Sequence, residues 1–444
     1  MKRYLNTIIA IAILGALYGG FTYWDKRKSS EPAKSESSTT SEKVFSVDAS
    51  HVRALAIRPR SGDAVVCRRE GATWTITEPM KLAADQSAVS SLLTSLTGAT
   101  IDQVVDLKPA SLKDFGLETP SVTLEVTTDA KPDKVTLLLG DDTPTSGGVY
   151  AQVAGNPRVL TLPSFLKSSL DKKVFDLRDK RILTMAAGQV NRIEVVGKTK
   201  RWTLAKNPEG IWDLILPPAV RADRFAAEGI VSRIENGTMQ SVAAEDKKST
   251  GKYGFGAPEV TINVSGAGTA QTLTLGKKED ARYYAMNSAL DLVFTLDSSF
   301  LADFQKDPAD LRAKDLFTFS AFDVKHFEVT TPSGTRTFDK QAQNKWKQTA
   351  PAAKDVPADK VEALLGKLRD LRADSFPPGD KLDQYGLTKP AYRFKAQFGD
   401  KNEAESVEAA KVGDHIYARR STDILASEVS KTALDEIEKA LKEL

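Results

Sequence analysis

Three stretches of this chain carry the same alternation of apolar and polar residues: VRALAI from Val52, VNRIEV from Val190 and VKHFEV from Val324. Period two over such a length predicts a half-buried β-strand. A later strand follows each, centred on a tryptophan: ATWTIT at Trp74, GIWDLI at Trp212 and NKWKQT at Trp346. A tryptophan in the same place each time reads as a core anchor. Prolines stand five residues on, at Pro79, Pro217 and Pro351, and are expected to end those strands because proline cannot donate to the ladder. The period then changes. After Asp85 the apolar positions are Val89, Leu92, Leu93 and Leu96; after Asp359 they are Val361, Leu364, Leu365 and Leu368. Spacings of three and four put them on one face of a helix. The Ala-Asp pairs ending at Asp85, Asp223 and Asp359 sit where a helix N-cap is needed, the carboxylate accepting from first-turn N–H groups. Glu362 falls three residues after Asp359, which is the spacing of a capping box.

A six-residue phrase recurs further on: FGLETP at Phe115, YGFGAP at Tyr253 and YGLTKP at Tyr385. Each follows enough residues for one helical turn. The glycine is placed to take the left-handed conformation that closes such a turn, and the apolar residue after it can fold back onto it. The proline then starts another strand: SVTLEV, EVTINV or AYRFKA. Two further landmarks keep the same order, a Leu-Gly or Val-Gly pair at Gly140, Gly276 and Gly413, and a Tyr-Ala pair at Tyr150, Tyr284 and Tyr417. The tryptophans step by 138 and 134 residues and the tyrosines by 134 and 133. Such a period is that of whole domains. We therefore read an α+β protein of three tandem repeats, each a mainly antiparallel sheet of six or seven strands with two helices. The repeats span residues 44–183, 184–317 and 318–444. Short bridges, DLRDK at Asp176–Lys180 and DLRAK at Asp310–Lys314, join them. Short helices at Ser164–Leu170 and Ser299–Phe304 are expected to end the first two copies, and an amphipathic helix carrying Leu434, Ile437, Leu441 and Leu444 the third.

The first 43 residues follow neither pattern. Leu5–Trp24 is twenty residues without a charge. As a helix it spans about 30 Å, the hydrocarbon thickness of a bilayer. Lys2 and Arg3 precede it, Lys26 to Lys28 follow it, and Tyr4, Tyr23 and Trp24 stand where interfacial aromatics belong. Residues 1–24 are read as an uncleaved transmembrane anchor, with the body on the extracytoplasmic side. Residues 25–43 are polar and rich in Ser, Lys and Glu. They are expected to form a flexible tether reaching roughly 25 Å.

Charge and composition narrow the chemistry. Sixty-two Lys and Arg against 59 Asp and Glu leave a net +3, a poor footprint for nucleic acid. One cysteine, Cys67, allows no internal disulfide and no thiolate cluster. The three histidines, His51, His326 and His415, do not occupy equivalent places in the repeats. None belongs to a nucleophile-base or metalloprotease motif. Gly140–Asp142 reads GDD after a strand and could hold a cation, though a β-turn is the simpler reading. No catalytic, cofactor-binding or metal residue is assigned, and no cofactor is expected.

An anchor followed by repeats of W-x4-P, Ala-Asp, [YF]-G-[LF]-x2-P and Leu-Gly resembles the bacterial domain of unknown function family 4340. The resemblance covers nearly all of the chain beyond the tether. It implies an envelope protein of the kind often encoded beside ABC transporter permeases and a gliding-motility-type auxiliary component. That in turn implies a non-enzymatic accessory or scaffold subunit in the bacterial inner membrane, contacting transporter membrane subunits. The alternative is a protein binding an envelope polymer, such as a glycan, at three repeated sites, with Tyr150, Tyr284 and Tyr417 as candidate contacts.

Overall fold

The computed structural model describes residues 42–444 except 145–146, 216–218, 249 and 380. The expected anchor, and the tether as far as residue 41, lie outside the described residues. Among the described residues no helix is long and apolar enough to cross a membrane. The chain divides into two compact units at Asp179–Lys180.

The first unit is built on a nine-stranded antiparallel sheet. Its strands are β1 (Val52–Pro59), β2 (Val65–Glu70), β3 (Thr73–Glu78), β4 (Leu82–Ala83), β5 (Gln103–Asp106), β6 (Val122–Thr128), β7 (Lys134–Asp142), β8 (Gly148–Val153) and β9 (Val159–Pro163). Their spatial order is β4-β3-β2-β1-β6-β7-β8-β9-β5. Every step except two is between chain neighbours. The exceptions follow from the helix Gln86–Thr97, which leaves β4 at one edge and delivers the chain to β5 at the other. The helix buries Val89, Leu92, Leu93 and Leu96, the residues of the three-and-four pattern. They join one core with Val52, Leu55, Ile57, Cys67, Trp74 and alternate residues of β6 and β7. Leu170 and Leu177, from the helices Ser164–Leu170 and Val174–Leu177, close that core.

The second unit holds two more nine-stranded sheets, in residues 192–297 and 324–429, with the same strand order. Register makes the likeness specific. Ile57, Leu124 and Leu137 stand side by side across β1, β6 and β7. Val195, Ile262 and Leu273 do so in the second sheet, and Val329, Phe394 and Val407 in the third. All nine are buried. Inward pairing of large apolar residues pins the register, because a one-residue slip would turn them all to water. The sheets exceed the expected six or seven strands because strands of two to four residues flank the first helix of each copy. Leu82–Ala83 and Gln103–Asp106 are too short to carry a readable alternation.

The aspartate caps divide two to one. Asp85 accepts from Ser87 N and Ala88 N at 3.0 Å, and Asp223 from Ala226 N at 2.8 Å. In the third copy the helix Ala358–Arg369 starts one residue before Asp359, its N-cap is Pro357, and no side chain caps it. The expected capping box is therefore absent, and Glu362 binds Asn344 instead, at 2.8 Å. The two extra residues between Pro351 and the Ala-Asp pair form part of the edge strand Lys354–Val356 and shift the helix start. Asp223→Ala should lower the stability of its unit by about 1 kcal/mol, whereas Asp359→Ala should cost only a few tenths. Hydrogen exchange resolved to the helices Arg224–Glu235 and Ala358–Arg369 in the two variants tests this. Equal losses would mean that the third helix is capped after all.

The DLR bridges pack against these caps. Asp85 N donates to Leu177 O and Asp223 N to Leu311 O, both at 2.8 Å. Between the second and third sheets the chain is held on both sides. Ala313 N donates to Arg221 O at 2.9 Å, and Ala373 N to Lys314 O at 2.8 Å.

Candidate functional site

The recurring phrase is a tight joint between a single helical turn and a strand. Lys113–Phe115 makes one 3₁₀ turn, and Gly116 closes it at φ +65°. Gly116 N donates to Lys113 O at 3.0 Å and Leu117 N to Leu112 O at 3.1 Å. The third copy repeats this: Gly386 lies at φ +69°, and Leu387 N donates to Leu382 O at 3.0 Å. Gly254 closes the second at φ +80°. These bonds satisfy carbonyls that a helix end leaves open, and a Cβ in this conformation is strained. Leu117 and Leu387 fold back and are buried, as expected; Phe255 is only half-buried.

Each joint rests on the strand beside it. A Cβ on Gly140 would lie 2.1 Å from Phe115 O, and one on Gly276 would lie 2.1 Å from Tyr253 O. The glycines allow the joint's backbone to lie against the strand. Both strands also carry a register shift here, between Leu139 and Asp142 and between Leu275 and Lys278, as a bulge requires. Gly413 does not occupy this place in the third copy. Register pairs Val122 with Leu139, Val260 with Leu275 and Tyr392 with Ala409, so Ala410 is the counterpart. The third strand runs through Ala410 with no shift, and Gly413 sits in the following turn at φ +63°. The Val-Gly pair matched the others in composition, not in structural position.

The aromatic residue of each phrase meets the landmark tyrosine. Phe115 lies 5.1 Å from Tyr150 between ring centroids, Tyr253 4.7 Å from Tyr284, and Tyr385 4.7 Å from Tyr417. Such tilted or edge contacts suit the ring quadrupoles. All three candidate tyrosines are half-buried. One face of each is thus committed to the joint. The phenols of Tyr253 and Tyr385 are committed too, donating to Ala243 O at 3.1 Å and to Pro378 O at 2.6 Å.

The surroundings of the pair also differ between copies. In the second, the pair opens into a cleft of about 650 Å³ that also includes Lys252, Lys277, Glu279 and Arg282. Lys252 Nζ stands 5.0 Å from the Tyr253 ring and Lys277 Nζ 5.8 Å from that of Tyr284. Tyr284 donates its phenol to Glu279, and that hydrogen bond pushes the phenol above its ordinary pKa. Asp141 and Asp142 follow the glycine in the first copy, Lys277 and Lys278 in the second, and Lys411 and Val412 follow Ala410 in the third. No sequence motif marks the charged residues of this cleft as a site. The change from GDD to GKK after equivalent glycines was the available signal.

The other candidates resolve individually. Gly140–Asp142 is the end of β7 rather than a β-turn. Asp142 pairs with Lys167 at 2.9 Å and Asp141 with Arg60 at 3.6 Å. His51, His326 and His415 each hydrogen-bond a carboxylate: Asp129 at 2.8 Å, Asp339 at 2.6 Å and Glu428 at 2.5 Å. Hydrogen bonds from His415 and Ser375 hold Glu428 below the usual carboxylate range. Cys67 is buried, and burial pushes its thiol up to about 11, so it stays protonated at neutral pH. Among the described residues no three His, Cys, Asp or Glu side chains are grouped to hold a metal.

A model of the family described as domain of unknown function (DUF4340) matches residues 74–217 and 212–390. The chain belongs to the DUF4340 family. The matched segments start at Trp74 and Trp212, the strand tryptophans of the first two sheets; the first takes in one complete joint and the second takes in two. A comparison of this DUF4340 chain with curated proteins finds no match.

Proposed function

We propose that this chain is a non-enzymatic, membrane-anchored envelope protein that serves as an accessory or scaffold subunit of an ABC-type transport system. In this reading the helix of residues 1–24 spans the inner membrane and the sheets stand on its extracytoplasmic side. One observation carries the scaffold reading. A positive-φ glycine turn and an aromatic-tyrosine pair recur in each sheet, while the side chains beside them change from Asp141 and Asp142 to Lys277 and Lys278 to Lys411 and Val412. A repeated frame with varied surfaces suits a protein that contacts several places on a large partner. The transporter itself comes from the family resemblance.

Light cross-linking of the full-length protein in its host membranes, mild solubilisation and mass spectrometry test the proposal. Recovery of a permease or ATPase subunit is the expected result. Recovery of no transporter component would remove it. The polymer-binding alternative draws support from the Tyr284 cleft, whose lining puts two aromatic rings beside charged side chains. Cell-wall glycan recovered without transporter subunits would favour it.

A further inference from the structure

The second unit contains a different kind of cleft, between its two sheets. It has a volume of about 520 Å³, within the range of small-molecule pockets, roughly 300–1,000 Å³. Leu214 and Val220 from the second sheet face Phe376, Pro377 and Ile424 from the third copy. Ile424 is 52% exposed, a large apolar side chain left in water at the rim. One cation belongs to this lining. The Arg312 Cζ stands over the Phe376 ring, 3.8 Å from its centroid.

The charges around Arg312 do not balance it. Arg419 is paired with Glu408 at 2.9 Å and Arg420 with Glu405 at 2.8 Å. Arg372 takes Asp315 at 3.2 Å. Asp307 lines the cleft, but it pairs with Lys200 at 3.6 Å and caps Ala309 N at 3.1 Å. Asp423 is the remaining carboxylate; Arg420, Arg221, Arg312 and Arg419 all act on it electrostatically, and Arg312 makes no ion pair within 4 Å among the described residues. Arg312 therefore has no carboxylate of its own. The excess positive charge sits where Arg312 meets an apolar wall.

An apolar cleft with one under-compensated arginine fits a ligand of matching polarity. We propose that the cleft between the second and third sheets binds a single acyl chain bearing a carboxylate, with Arg312 holding the head and Leu214, Val220, Phe376 and Ile424 covering the chain. Guanidinium presents paired donors to a carboxylate. Chain burial removes Ile424 and the tail from water together.

The test uses full-length protein in its native membranes and a photoreactive hexadecanoate carrying a diazirine and an alkyne. Labelled peptides should contain Phe376 or Ile424. Arg312→Gln and Ile424→Glu should each cut labelling about tenfold, as expected for loss of a charged hydrogen bond or insertion of a repelling charge. Ile424 is exposed enough that its variant keeps the fold, and Phe225→Glu, at an exposed site elsewhere, should label like the wild type. The methyl ester of the probe should label weakly. Equal labelling by the ester, labelling unaffected by Arg312→Gln, or label confined to other peptides would each overturn the proposal. Stronger labelling by a phosphate-headed lysolipid probe would overturn the carboxylate assignment.

Discussion

Gly276→Val should destabilise the second sheet by about 3 kcal/mol or more, the upper end of what overpacking a filled interior costs. The first atom of the new side chain would stand 2.1 Å from Tyr253 O, with Phe255 at 2.9 Å. The carbonyl cannot easily yield. It belongs to a joint whose path is set by Gly254 at φ +80° and by the Tyr253 phenol bound to Ala243 O. Gly140→Val should behave alike, because Phe115 O is equally close to Gly140. Ala410→Gly, at the third copy's counterpart, should cost only about 0.5–1 kcal/mol in backbone entropy. Because the chain has two compact units, a single unfolding midpoint is a poor readout. Hydrogen exchange resolved to the strands Val260–Gly266 and Thr269–Glu279 is the better one. Wild-type protection of those strands in Gly276→Val would refute the close approach.

Trp346→Ala is expected to cost about 3–5 kcal/mol, the range for emptying a buried tryptophan site. The ring is 2% exposed and meets Phe327 edge-on at 5.6 Å, while Phe327 stacks on Phe338 at 4.4 Å. Removing it leaves a cavity beside two rings that cannot close over it without losing their own contact. Trp346→Phe should cost less than half as much. The indole Nε1 has no hydrogen-bond partner among the described residues, so the substitution removes volume but no bond. Local hydrogen exchange in Val324–Thr331 and Gly334–Lys340 reads both variants. Equal losses for Phe and Ala would show that a polar contact, rather than packing, anchors this residue.

The two predictions mark different kinds of legibility. Trp346 could be read as core from its recurrence in a strand, and it is core. Gly276 could be read as a landmark, but its reason could not. A glycine that admits a distant carbonyl looks the same in sequence as one that turns the chain. For that reason Gly413 looks equivalent to Gly140 and Gly276 in sequence, although strand register places Ala410 there. Asp359 looks equivalent to Asp85 and Asp223 in the same way. The choice of N-cap depends on where the preceding edge strand releases the chain.

Local physics was enough for the elements: alternation for the central strands, three-and-four spacing for the helices, and a glycine at positive φ to close each joint. The same landmarks, in constant order, were enough for the family and for three similar sheets. Those signals lie within a few residues of one another, where sterics and backbone hydrogen bonding act directly. Tertiary structure decided the rest. It brought two-residue strands to the edges of nine-stranded sheets, set each phrase's aromatic on a tyrosine more than 30 residues away, and placed Arg312 on Phe376 beside an apolar cleft. These contacts join residues far apart in the chain. Only long-range packing, which local sequence patterns do not encode, selects them.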